Sequence, residues 1–287
     1  GMILIDELVK TISFENIKSK PIPSWFRGFS APIKFNSNLS VSEKIFLASN
    51  DSDPFNRWDS VQSLWLDYIL SPQEVEEKEL FSMIENLFTK DSDFALLSEM
   101  ISLPSEQIIH QNVGQIDVQE VSHKRKNSSL SVASNFKALF LETYQKLNYK
   151  KAFDLSSKSV GERALKNKCL SYLSKLGEHD LAYVQYNNSD CMTDQFSAFQ
   201  CLLDSSNPYR DEVISRFYNQ HKSDAQVMDK WFSAQSISPR TSVEDIRDLM
   251  KHELFSMTNP NRVRSVISSF SRNSIQFHCK DGYQLLT

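Results

Sequence analysis

From Asp53 onward the chain repeats one device: a side chain able to bond free backbone N–H groups, followed by apolar residues recurring every three or four positions. Asp53 stands before Pro54, and Phe55, Trp58, Val61, Trp65, Tyr68 and Ile69 follow at helical spacing. Proline at the first helical position removes an N–H that has no partner there anyway. Ser71-Pro72-Gln73-Glu74 has the form of a capping box ahead of Leu80, Ile84, Leu87 and Phe88. Ser159 with Glu162 precedes Leu165, Cys169, Tyr172, Leu173 and Leu176, and Gly177 is placed to end that helix. Thr193 precedes the stripe Phe196, Phe199, Leu202 and Leu203, and Thr241 with Glu244 precedes Ile246, Leu249 and Met250. Asn259-Pro260 opens a helix carrying Val263, Val266, Ile267 and Phe270. Roughly one helix per 15 to 20 residues, each with a stripe that needs a neighbour, is the rhythm of stacked helix pairs. No motif recurs, so the pattern predicts a mainly α fold: an irregular helical superhelix with HEAT- or armadillo-like stacking. Only six glycines in 287 residues agree with few tight turns.

Before this train the pattern changes. Ile12 and Phe14 alternate with polar neighbours, Pro21 and Pro23 break any helix, and Ile33 and Phe35 alternate again after Pro32. These predict a few β-strands, too few to close on themselves. Unpaired sheet edges invite pairing with another chain, so a homodimer through those edges, or disorder near the N-terminus, is expected.

Composition narrows the function classes. A formal charge of -4 and a single dense basic run, Lys124-Arg125-Lys126, give no basic face for nucleic acid, and the run reads as a solvated loop or helix start. No apolar run has transmembrane length and no signal-peptide pattern opens the chain, so the expected partners include no membrane and the expected residence is cytoplasmic. Cys169, Cys191, Cys201 and Cys279 lack metal-finger spacing and read as buried thiols of a reducing compartment. Gly1 before Met2 reads as the scar of a cleaved tag.

Three segments carry a resemblance. Val227-Met228-Asp229-Lys230-Trp231-Phe232, followed by Asn259-Pro260-Asn261-Arg262-Val263-Arg264, resembles the C-terminal helical region of the aminopeptidase N family of zinc-dependent gluzincins. Trp25 to Lys34 is similar to the end of that family's small β domain, and Asn56 to Leu64 to the start of its helical domain. Weaker matches at Ile101 to Ser105, Arg163 to Leu173 and Asn188 to Asp194 keep the family order. The resemblance therefore implies that residues 1–38 are a remnant of a small β-sandwich domain and that 39–287 are the C-terminal α-helical superhelical domain. It also implies that family members continue for several helices past Thr287, so the domain is expected to be cut short there.

The same resemblance sets what is missing. Zinc hydrolysis of this class uses two histidines four apart on a helix with a glutamate between them. His110, His123, His179, His221, His252 and His278 include no such pair, and the Gly-Ala-Met-Glu-Asn segment that holds a substrate amino group in the family is absent. No catalytic residue, metal ligand or cofactor is therefore assigned to this chain, zinc belonging to the full-length family. His278 beside Cys279 and Asp281 lacks ligand spacing. The expected function is to wall an active-site chamber and restrict peptide access, with peptides and the catalytic domain of the parent peptidase as partners. Asn261, Arg262 and Arg264 are the candidate substrate-channel residues: two arginines one turn into a helix can position peptide carbonyls or a carboxylate, and Arg264 is the leading one. As a plainer alternative, the two arginines bridge to neighbouring carboxylates. At the level of the whole chain, composition and periodicity fit equally a non-enzymatic helical scaffold that binds proteins or peptides.

Overall fold

The computed structural model describes residues 3–30, 33, 35–90, 93–115, 117–150 and 152–285. Gly1, Met2, Ala31, Pro32, Lys34 and Thr287, used in the reading above, lie outside the described residues. The helices are α1 (Val41–Asn50), α2 (Pro54–Leu70), α3 (Glu77–Lys90), α4 (Phe94–Met100), α5 (Glu106–His110), α6 (Val118–Asn135), α7 (Lys137–Leu147) and α8 (Ser157–Lys175). They continue as α9 (His179–Asn188), α10 (Met192–Leu203), α11 (Arg210–His221), α12 (Ala225–Ile237), α13 (Val243–Lys251), α14 (Pro260–Val263), α15 (Ser274–Phe277) and α16 (Lys280–Gln284). Successive helices pack as pairs, α1 on α2, α7 on α8, α9 on α10 and α11 on α12, with α8 also touching α4, α6 and α10. One apolar core runs through the stack, from Trp65 and Phe81 through Phe140 and Phe199 to Phe232 and Phe270.

Two proline-led starts are as the sequence predicts. The Asp53 carboxylate accepts the Phe55 and Asn56 N–H groups at 2.9 and 3.1 Å, and Asn259 Oδ1 accepts those of Asn261 and Arg262 at 3.0 and 3.4 Å. Other starts are displaced by a few residues. Ser71 makes no side-chain cap, Pro72–Glu74 form a single 3-10 turn, and α3 begins only at Glu77. Ser156 caps α8 in place of Ser159, whose hydroxyl is drawn to Asp154 Oδ2 at 2.6 Å. Cys191 holds the cap position of α10, which puts Thr193 inside the helix. The capping box of α13 is Ser242 with Asp245, because Thr241 Oγ1 donates to the Gln235 carbonyl at 2.5 Å instead. Gly177 ends α8 as expected: at φ 92° it lets the Glu178 N–H reach the Leu173 carbonyl at 3.2 Å and its own N–H reach Ser174 at 3.1 Å.

The expected β-strands are not formed among the described residues. Phe26, Gly28 and Phe29 lie at φ 50°, 66° and 52°, in the left-handed region that no strand uses. The polar groups that a ladder would need are bonded to the start of the helical stack. Arg27 reaches Asp51 at 2.5 Å and Ser52 at 2.7 Å, Gly28 N–H donates to Asp53 at 2.6 Å, and Asn56 Nδ2 donates to Ser24 Oγ and the Trp25 carbonyl, both at 2.7 Å. Trp25 and Phe26 close on Phe35, and Phe29 closes on Phe55. Among the described residues, the sheet edges invoked for self-association are therefore absent. The segment presents Leu4, Ile5, Leu8, Val9 and Phe14 as exposed side chains.

Two features set the stability of the stack. A Cβ on Gly161 would come within 2.9 Å of the Ala95 amide nitrogen, so glycine is what lets α8 lie against α4. His252 sits among Tyr218, Trp231 and Phe232, with ring centroids 5.2 to 5.4 Å away, and its Nδ1 accepts the Leu254 N–H. Burial holds His252 below its ordinary pKa of 6.5, as it does His221 against Phe217.

Gly161→Ala should cost about 1 to 3 kcal/mol by overpacking, read as a lower urea midpoint. Gly114→Ala, whose Cβ would meet open space, should stay within about 0.5 kcal/mol. Because the two depressed histidines favour the neutral form in the folded state, their contribution is complete above pH 6.5 and lost as pH falls through their folded values. Because the raised Asp204 carboxyl works in the opposite sense over the same range, the histidine contribution is read as a difference: between about pH 7 and pH 5 the urea midpoint of the parent should fall relative to that of His252→Asn.

Candidate functional site

The three candidate residues share one short helix but not one environment. Asn259 caps α14, Pro260 occupies its first position, and after Val263 the helix widens into a π turn at Arg264–Ser268 in which the Ser269 N–H reaches the Arg264 carbonyl. Such a turn inserts an extra residue into the helical repeat and shifts the direction of the side chains around it. Small residues line this face: Ser265 donates to the Arg262 carbonyl at 3.0 Å, and the hydroxyls of Ser269 and Ser233 bond across to α12. With serines on both sides, the two helices approach closely.

Arg262 points inward. It is 6% exposed, its Nε donates to the Leu254 carbonyl at 2.9 Å, and its Nη1 meets Asp229 Oδ1 at 2.5 Å and the Ala225 carbonyl at 3.3 Å. The guanidinium carbon lies 5.2 Å from the Phe232 ring centre. Arg262 thus ties α12, the loop after α13 and α14 together, as the plainer sequence reading of a bridging arginine describes.

Asn261 and Arg264 point outward. They line a recess of about 300 Å³ with Asp229, Lys230, Ser233, Ser265, Ser269 and Arg272. Arg264 is exposed and makes no side-chain hydrogen bond or ion pair among the described residues. Lys230 lies 6.0 Å over the Phe196 ring and Arg272 touches only Ser269 Oγ, at 3.4 Å, among the described side chains. Asp229, the single carboxylate of the recess, is already matched by Arg262. The recess therefore carries three cationic side chains with no local anion left to neutralise them. A guanidinium there offers paired donors to a carboxylate or a peptide carbonyl.

The sequence reading missed a buried polar layer in the middle of the stack. Lys166 Nζ meets Asp194 Oδ2 at 2.5 Å, Asn167 donates to Asp194 Oδ1 at 2.8 Å, and Gln185 Nε2 donates to Asn167 Oδ1 at 2.8 Å and to the Asp194 carbonyl at 2.9 Å. The signal was there in part, since Lys166 and Asn167 interrupt the apolar face between Leu165 and Cys169. Cys169 and Cys201 are buried, and burial pushes their thiols up to about 12 and about 11, whereas Cys191 is half-buried and Cys279 is exposed. In the basic run, Lys124 pairs with Glu120 and Arg125 donates to the Pro104 carbonyl at 2.6 Å, all within α6 or against it. Among the described residues no three His, Cys, Asp or Glu side chains are grouped to hold a metal ion, and no helix is long and apolar enough to cross a membrane.

Residues 41–287 match the family described as a domain of unknown function with ARM repeats, DUF3458_C. The chain belongs to that family. It is similar to aminopeptidase N of Escherichia coli strain K12, 30% identical over 297 residues that cover 98% of this chain and 34% of that protein. Aminopeptidase N of Haemophilus influenzae is 29% identical over 300 residues, 99% of this chain and 34% of that one. A solved structure of Legionella pneumophila aminopeptidase A in complex with aspartic acid superposes with a TM-score of 0.86 at 26% identity, covering 95% of this chain and 34% of that one. The chain thus spans about a third of the length of the relatives it matches, and corresponds to the C-terminal, helical part of aminopeptidase N.

The inward and outward arginines are separable by experiment. Removing Arg262 takes the counter-ion from half-buried Asp229 and the donors from two backbone carbonyls, so Arg262→Ala should cost about 1 to 3 kcal/mol. Arg264→Ala should leave stability within about 0.5 kcal/mol of the parent, both read from urea titrations.

Proposed function

We propose that this chain is the non-catalytic helical wall of an aminopeptidase, closing over a zinc-bearing catalytic domain and limiting entry to short, unstructured peptides. The observation that carries the reading is the Arg264 guanidinium, exposed and unpaired among the described residues at a cationic recess, on a chain similar over 98% of its length to about a third of aminopeptidase N. In this reading Arg264 meets peptide carbonyls or a terminal carboxylate, Asn261 lines the same wall, and Arg262 is a positioning residue that holds the π turn in place. None of the three transfers a proton; selection is by access and by charge.

The partner that the reading requires is the catalytic domain of the same peptidase. The exposed apolar side chains between Leu4 and Phe14 support a protein contact at the N-terminal segment, with pairing of two copies as what happens when that partner is absent. We also place the boundary of the small N-terminal portion at residue 38, with the helical domain from 39, which the Ser40 capping box at the start of α1 supports. Residence in the cytoplasm is supported by four free cysteines.

Mixing the chain with the complementary zinc-bearing portion of the peptidase should restore or strengthen cleavage of short peptides, while the chain alone reads as background. Absence of association at high concentration overturns the proposal. In the reassembled enzyme, Arg264→Ala should raise KM for tripeptides roughly tenfold with kcat little changed, the mark of lost uniform binding.

A further inference from the structure

The extra residue of the π turn decides which side chains share the recess beside α14. Arg264 and Arg272 are eight positions apart, and in an unbroken α-helix that interval leaves them about 80° apart around the axis. The π turn at Arg264–Ser268 absorbs one residue, and helical bonding then runs on to Ser271, whose N–H reaches the Ile267 carbonyl at 3.0 Å. The interval therefore acts as seven and brings the two arginines to within about 20° of each other. Opposite them, Lys230 and Ser233 are three apart on α12 and so lie on one side of that helix. The two faces meet at the recess of about 300 Å³, where Ser233, Ser265 and Ser269 put only short side chains between the cations.

Lys230, Arg264 and Arg272 are all exposed, and none has an ion pair among the described residues. Asp229, the one carboxylate of the recess, is held by Arg262. This concentration of positive charge stands on a chain whose formal charge is -4, so it is not a sample of a generally basic surface. A carboxylate offers one negative charge and two oxygens. A phosphate group offers a charge of about -1.5 to -2 and three strong acceptor oxygens, which two guanidiniums and an ammonium match in charge and in number of donors. We propose that the recess binds an oxyanion of the phosphate class, as free diphosphate or as the phosphate end of an ester, with Arg264 and Arg272 on one side and Lys230 on the other. The site uses residues of the chamber reading but is complete on this chain, so it stands or falls separately from association with a catalytic domain.

Isothermal titration of the chain with sodium pyrophosphate at fixed ionic strength should show one site, weakened roughly tenfold by Arg264→Ala and by Arg272→Ala. Lys146→Ala, at an exposed lysine outside the recess, should leave it unchanged. Ser271→Arg combined with Arg272→Ser keeps the net charge and turns one cation by about 100° around the axis. That pair should weaken binding as much as Arg272→Ala does, and a thermal melt of each variant separates lost binding from lost fold. With ADP in parallel, tighter binding of pyrophosphate assigns the free anion and tighter binding of ADP assigns an ester; both support the site. Equal binding of acetate overturns the preference for phosphate. Full affinity in the charge-moved pair overturns the arrangement, and no binding of pyrophosphate at millimolar concentration, in a chain that melts normally, overturns the site.

Discussion

The middle of the superhelix turns on the carboxylate of Asp194. α8 is touched by α4, α6, α7, α9 and α10, so it has no solvent face over most of its length and must bury Lys166 and Asn167 along with its apolar residues. Asp194, from the first turn of α10, answers both of them, and Gln185 from α9 closes the set. A buried pair of this kind contributes little net stability over an apolar isostere, yet losing one partner leaves a charge stranded. Its effect is on register: slide α10 by one turn against α8 and Lys166 has nothing to meet. Apolar stripes alone tolerate such a slide far better, because leucine against phenylalanine packs in several alignments.

The C-terminal end uses the same logic with a different residue. Arg262 binds two carbonyls and one carboxylate from two separate parts of the chain, α12 and the loop after α13. Once it is locked, the π turn that follows has little freedom, and Arg264 is held at the recess without a bond of its own. Two arginines two positions apart in sequence thus have different surroundings: one is used up by packing, the other stays exposed and unpaired among the described residues. Asp229 makes the division possible, since a carboxylate shared between the two would have neutralised both.

Much of this was legible in the sequence. The order of helices, the proline-led starts at Asp53 and Asn259 and the glycine stop at Gly177 follow from local rules, because each depends on backbone groups within one turn. The cap positions at Ser156, Cys191 and Ser242 were less legible, because serine and threonine are crowded there and the choice is made by a neighbour such as Asp154 or the Gln235 carbonyl. Alternation at Ile12 to Phe14 suggested strands, and alternation says nothing about whether a pairing partner exists. The candidate arginines could be placed on a helix from sequence, but not sorted, since inward and outward depend on where Asp229 and Leu254 lie in space. The buried layer on α8 was hidden for the same reason: polar residues in a helix read as solvent-facing until the other neighbours are known.

The N-terminal segment shows how such a misreading acquires a meaning. In a folded chain, polar groups ordinarily face water and apolar ones the core. Between residues 3 and 30 the arrangement is partly reversed: Arg27, Gly28 and Ser24 spend their hydrogen-bonding capacity on Asp51, Ser52, Asp53 and Asn56, while Leu4, Ile5, Leu8, Val9 and Phe14 are turned out. The polar anchor fixes where the segment meets the start of α2, and the apolar side chains stay exposed. Strand-like alternation and an exposed apolar face are two descriptions of one property, namely that the helical stack leaves Leu4, Ile5, Leu8, Val9 and Phe14 uncovered.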